Sequence, residues 1–300
     1  MARLTPQSVA IAAVVTAATL WGLSGTAAQV LFHHYGVTPA WLVGVRMTAA
    51  GAILLAVRRP RIPREDWGTL VLFGLIGLAL VQWTYFGAIA DSNAATATFL
   101  QYLGPAFLAV FILVTRGRLP RLRTAVALVV ALFGTLLLTL AGKGSDMSPG
   151  ALAFGLASAA ALAFYTAYPE RLIARHGTWP VTAWGLVIGG AALQTVHPAW
   201  ALPATPLTGT AWVLVAFVTV FGTLIPFGLY LYGLKALPPT DLMILATVEP
   251  VAAAVAIWVF LGQELSARAY LGGALVVVAV AVLATGPLLR RAEVAKQPDP

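Results

Sequence analysis

Apolar residues run through this chain in long blocks, parted by short polar or basic breaks. A helix needs about 20 mostly apolar residues to cross the hydrocarbon of a bilayer. Blocks of that kind fall at 9–31, 39–57, 67–89, 94–115, 121–141, 149–169, 179–197, 209–233, 240–261 and 267–288. The pattern predicts an all-α integral membrane protein with ten transmembrane helices. The first block could pass for a signal peptide, but it is long, and Trp21 and the Gly22–Gly25 pair interrupt it. We read it as a retained span. Residues 290–300 are polar and carry two prolines, so a disordered tail is expected there.

A second pattern lies on top of the first. The stretch 85–119 aligns without a gap on 230–264 after a shift of 145 positions. Tyr85 falls on Tyr230, Leu100 on Leu245, Pro105 on Pro250, Ala109 and Val110 on Ala254 and Val255, Ile112 on Ile257, Val114 on Val259, and Gly117 on Gly262. A proline inside a span and a glycine at its end recur together. The chain therefore reads as two copies of one unit, 1–145 and 146–289, each with five spans. Five is odd, so the second copy enters the membrane from the opposite face. The halves are then inverted-topology repeats related by a pseudo-two-fold axis in the membrane plane, as in many secondary transporters.

Composition agrees: hydrophobic residues make up 60% and charged residues 9%, against about a quarter charged in a soluble domain. The net charge of +8 would raise nucleic acid as a partner for a soluble protein. Here the charges sit in short loops and report orientation instead. Of the 18 lysines and arginines, fifteen fall on the side shared by the N-terminus, alternate loops and the C-terminus. Lys143 and Arg268 fall opposite, and Arg46 lies within a span. That asymmetry predicts both termini in the cytoplasm. There is no cysteine, and none of His33, His34, His176 and His197 forms an i, i+4 pair, so no metal site is expected. Hydrolase, phosphate-loop and zinc-peptidase motifs are absent, as is any ATP-binding domain. Neither an enzyme nor a bound cofactor is expected.

Two ionisable groups lie deep in spans, Arg46 and Glu249. A charge in hydrocarbon is costly, so each should face a cavity or a partner. Arg46 could tie two helices together or touch substrate. Glu249 could be an uncharged acid bonded to the carbonyl that Pro250 frees by lacking an N–H, or a carboxylate that couples protons or binds an amine. Gly104-Pro105 and Glu249-Pro250 break equivalent spans at equivalent heights, which is the best sequence pointer to a transporter binding site. Pro105 and Pro250 are the expected hinges. Thr98, Gln101, Tyr102 and Pro105 share one helical face. Thr98, Gln101 and Tyr102, with Trp21, Ser24, Tyr85, Phe164, Tyr168, Trp184 and Tyr230, form the expected lining of an amphipathic cavity suited to a small organic solute. Trp41, Trp67, Trp179, Trp200 and Trp212 lie near span ends and read as an interfacial belt. Gly185, Gly189 and Gly190 read as close helix packing.

The segment Leu20-Trp21-Gly22, the pattern at 230–264 and above all Glu249-Pro250-Val251 followed by Leu261-Gly262-Gln263-Glu264 resemble the EamA branch of the drug/metabolite transporter superfamily. The likeness covers residues 8 to 288. The first half departs from the motif: Leu103-Gly104-Pro105 lacks the acid, and Arg116-Gly117-Arg118-Leu119 lacks the final glutamate. The resemblance implies a bacterial inner-membrane exporter of amino acids or other small metabolites, working by alternating access. The aromatic residues point within the branch to aromatic amino acid exporters. Export of drug-like cations or nucleotide-type metabolites is the alternative, and a non-transporting scaffold the alternative of another class. The expected partners are a small-molecule substrate and the lipid bilayer, not nucleic acid, with the chain acting as a monomer.

Overall fold

A computed structural model describes all residues except 1–4, 58, 93, 118, 120, 142–147, 203–205, 262–265 and 295–300. Among the described residues the chain is helical throughout. The helices are α1 (Pro6–Tyr35), α2 (Pro39–Val57), α3 (Trp67–Leu72), α4 (Val81–Asp91), α5 (Ala94–Gln101), α6 (Gly104–Arg116), α7 (Leu122–Ala141), α8 (Pro149–Ala167), α9 (Glu170–His176), α10 (Thr178–Val196), α11 (Gly209–Thr219), α12 (Ile225–Gly233), α13 (Pro239–Leu245), α14 (Val248–Leu261) and α15 (Ala267–Val294). Among the described residues, seven helical stretches are long and apolar enough to cross a membrane, Pro6–Tyr35, Pro39–Val57, Arg64–Asp91, Thr96–Val114, Leu122–Leu140, Pro149–His176 and Gly209–Gly233, with Ala267–Val282 a shorter apolar helix. The other two expected spans, 179–197 and 240–261, also fall on helix, the latter interrupted between α13 and α14.

The ends of the helices follow from local chemistry. Thr5, Ser148 and Thr208 each accept a backbone N–H three residues on, which satisfies a donor that a helix start leaves free. Gly117 closes α6 in the left-handed region at φ 62°, its N–H reaching Leu113 O, a turn that suits glycine. At the other end of the chain the expected tail begins too early. Helix α15 continues to Val294, and the Gly262-Gln263-Glu264 part of the family-like motif lies outside the described residues.

Two kinds of irregularity occur in pairs. Helices α3 and α4 are joined by a π-helical stretch, Phe73–Leu80, and α11 and α12 by another, Val220–Leu224. Helices α5 and α6 part at Tyr102-Leu103, and α13 and α14 at Ala246-Thr247. Each of these breaks precedes its proline by a few residues, since a proline ring excludes the carbonyl four residues back. The packing repeats in the same way. Helix α1 lies against α12 and α14, as α8 lies against α4 and α6, while α2 pairs with α10 and α7 with α15. Small residues allow these approaches. A side chain on Gly51 or Gly190 would run into backbone across the α2–α10 contact, and one on Gly134 or Gly272 across the α7–α15 contact.

The tryptophan belt is uneven. Trp179, Trp200 and Trp212 are exposed, but Trp41 is fully buried and donates its Nε1–H to Ala199 O at 3.0 Å.

Candidate functional site

The two breaks face one another across the middle of the bundle, and a chamber opens between them. Trp21 and Ser24 of α1, Arg46 of α2, Val81, Gln82, Tyr85 and Phe86 of α4, Gln101 and Tyr102, Leu162 and Tyr165 of α8, Phe227 and Tyr230 of α12, Ala246 and Glu249 line it. Its free volume is about 30 Å³, far below the roughly 300–1,000 Å³ of occupied small-molecule sites. Its clear interior is only wide enough for water, so a solute has to spread the walls.

Glu249 sits in the first turn of α14, 3% exposed. Its Oε1 lies 2.8 Å from the Tyr85 hydroxyl and its Oε2 2.8 Å from the Tyr102 hydroxyl. Tyr85 is also 2.8 Å from Thr98 Oγ1. The carbonyl that Pro250 deprives of its helical donor is that of Ala246. Its partners are the Tyr102 hydroxyl, at 2.6 Å, and the Glu249 N–H, at 3.0 Å. The expectation that the Glu249 carboxyl itself would cap a freed carbonyl is therefore corrected: a tyrosine from the other break reaches it first, and the carboxyl bonds to phenols. Helix α1 can approach this point because residue 22 is glycine; a Cβ there would strike Glu249 O and press on Ala253 N.

Arg46 is 1% exposed. It donates to Gln82 Oε1, to Thr223 Oγ1 at 3.1 Å and to Gly222 O at 3.4 Å, and its guanidinium lies 4.3 Å from the centre of the Phe86 ring. Gly222 and Thr223 belong to the second π-helical stretch, a form often found at functional sites. Arg46 and Glu249 line the same chamber without pairing with each other. Three polar atoms of the lining residues are buried without a partner: Arg46 Nε, Trp21 Nε1 and the Tyr165 hydroxyl. The opposite wall is aromatic, with Trp21, Tyr165, Phe227 and Tyr230 in mutual ring contact.

Of the residues expected from sequence, Trp21, Ser24, Arg46, Tyr85, Gln101, Tyr102, Tyr230 and Glu249 meet at the chamber. Thr98 stands behind Tyr85. Phe164, Tyr168 and Trp184 do not line it. Phe164 of α8 stacks at 4.3 Å on Tyr168, the residue that caps that helix. Trp184 bonds Pro60 O at 3.0 Å and packs edge-on against Trp67, so it anchors the connection after α2. The α8 residue at the chamber is Tyr165. The stripe Ser158, Leu162, Tyr165, at i, i+4 and i+7, marks that face, and Gln101 confirms it by donating to Ser158 Oγ at 2.7 Å. Gln82, Phe86 and Phe227, with the apolar Val81, Leu162 and Ala246, complete the lining.

A helical membrane bundle enclosing a buried polar and aromatic chamber has the construction of a solute transporter. The profile of the EamA-like transporter family matches residues 8–140 and again 149–285, and this chain belongs to that family. It is 34% identical over 282 residues to the uncharacterized inner membrane transporter YicL of Salmonella typhimurium, covering 90% of this chain and 93% of the relative. It is 27% identical over 234 residues to the threonine/homoserine exporter RhtA of Escherichia coli K12, covering 75% of each. A protein of known crystal structure shares the fold, with a TM-score of 0.75 at 24% identity over 95% of this chain and 99% of that one.

Proposed function

We propose that this protein exports small amino acids across the bacterial inner membrane as a secondary transporter. Ten spans form two inverted five-helix repeats, 1–145 and 146–289, with both termini in the cytoplasm. The breaks before Pro105 and Pro250 act as hinges that expose the chamber to each side in turn. One observation carries the reading: a single chamber built by both halves holds one arginine and one glutamate that do not neutralise each other. A zwitterion supplies what each lacks. Its carboxylate suits the unpartnered Arg46 Nε and Trp21 Nε1, since an arginine with a free donor favours a planar anion. Its ammonium suits the carboxylate of Glu249 and the aromatic faces of Trp21 and Tyr230. The narrow interior favours small side chains over aromatic ones, and the likeness to a threonine/homoserine exporter supports the same class.

The test is counterflow in liposomes that contain the purified protein. Labelled L-threonine and L-homoserine should exchange, L-tryptophan should exchange more slowly, and an organic cation without a carboxylate should not. Movement of the cation with no amino acid exchange would replace this reading with drug export.

A further inference from the structure

The hydrogen bonds around Glu249 count protons. The Tyr102 hydroxyl oxygen lies 2.6 Å from Ala246 O and 2.8 Å from Glu249 Oε2. Both are hydrogen-bond separations, and each needs a hydrogen between the oxygens. A phenol carries only one, and a carbonyl has none to give. If Tyr102 donates to Ala246, the hydrogen in the other contact has to come from Glu249. The second carboxyl oxygen needs no such help. Tyr85 donates to Oε1, and Thr98 can donate to Tyr85. With that hydrogen placed on Glu249, the chain runs from Glu249 Oε2–H to Tyr102, and from Tyr102 O–H to Ala246 O.

We infer that Glu249 is a proton-binding site, loaded in this conformation, and that it exchanges its proton for the ammonium group of the substrate. This rests on the export reading above. When the ammonium arrives, the Glu249 O–H bond breaks, the proton leaves to water, and the carboxylate takes the ammonium as partner. Tyr102 and Tyr85 then both donate to the carboxylate, and Ala246 O keeps the Glu249 N–H. When the substrate leaves, a proton returns. One proton enters for each zwitterion exported, so each cycle also carries one positive charge inward.

The surroundings allow the exchange. The titratable or charged groups facing Glu249 are Tyr85 from α4 and Tyr102 from the break after α5. Tyr165 from α8, Tyr230 from α12 and Arg46 from α2 share its chamber. Helix α1 brings Trp21 and Ser24, which do not titrate. Helices α7 and α15, which also pack on α14, bring no charged side chain to the chamber among the described residues. Among the described residues lining the chamber, Arg46 is thus the single fixed cation, and its bonds go to Gln82, Thr223 and Gly222 rather than to Glu249. A neutral Glu249 leaves the chamber with one net positive charge, which draws the substrate carboxylate. An ionised Glu249 with a bound zwitterion leaves it neutral.

The experiment uses the purified full chain. Infrared difference spectra should show a carboxylic-acid band near neutral pH in the substrate-free protein, shifted in Glu249→Asp and missing in Glu249→Gln. L-Threonine should abolish the band and release about one proton per chain into weak buffer. Its affinity should fall about tenfold for each unit of pH lowered while Glu249 is protonated, the linkage expected when one proton competes with the ligand. Absence of the acid band, or threonine binding without proton release, overturns the proposal. Failure of every amino acid to bind or exchange removes the export reading instead, and the band alone still decides whether Glu249 holds a proton.

Discussion

The two halves of the chain use the same backbone break in different ways. In the second half the residue before the proline is Glu249, gripped by two phenols. In the first half it is Gly104, where a Cβ would meet Ala159 O at 3.1 Å and the tip of Met243 at 2.8 Å. Both phenols that hold Glu249, Tyr85 and Tyr102, come from the first half. Their counterparts in the second half are Tyr230, which bonds only Thr166, and Thr247, which bonds back to Ile244 O. The second repeat thus carries the acid and the first carries its holder. Both halves carry the break, and only the second puts a carboxylic acid beside it.

The comparison can be broken most severely by moving the acid. A Gly104→Glu, Glu249→Gly double variant keeps one acid per chain but puts it among Ala159, Leu162 and Met243, where no pair of phenols waits. Transport of threonine in liposomes should fall to background. Recovery would mean that the halves are interchangeable. Next in size is Arg46→Gln, which leaves Gln82 and Thr223 without their donor. Loss of a buried polar partner costs about 1–3 kcal/mol, and exchange should drop at least about tenfold in the same assay. Gly22→Ala against Gly104→Ala sharpens the contrast in packing. A methyl at 22 meets Glu249 backbone, while one at 104 meets mainly the flexible end of Met243. Overpacking costs about 1–3 kcal/mol, so thermal unfolding should show Gly22→Ala as the more damaged. The smallest effect separates the equivalent tyrosines. Tyr85→Phe removes a bond to Glu249 and should alter the pH dependence of exchange. Tyr230→Phe removes about 1 kcal/mol of neutral hydrogen bonding and should leave that dependence unchanged.

Much of this was legible in the residues. Prolines at 105 and 250 announce the breaks because a missing N–H acts locally. Buried Arg46, Gln101, Tyr102 and Glu249 announce a polar interior because hydrocarbon cannot solvate them. The periodicity failed where one turn decides. Phe164 lies on a neighbouring face of α8 to Tyr165, a rotation of about 100° per residue, and aromatic content alone does not choose between them. Trp184 misled because an indole serves equally to anchor a loop carbonyl. The π-helical stretches were invisible: an extra residue in a turn shifts the apolar pattern by less than the pattern's own irregularity. The partnership of Tyr102 with the Ala246 carbonyl needed the two halves docked, since the residues lie 144 apart in sequence.

The central claim is that one chamber, shared by both halves, opens alternately to the two sides. The chain has no cysteine, so Ser24→Cys places a single thiol in the chamber wall with little change in volume. Labelling it in sealed vesicles of both orientations, with a thiol reagent that cannot cross the membrane, tests the claim directly. The account predicts reaction from each side and protection by threonine on both. Reaction from one side only, or from neither, would contradict it.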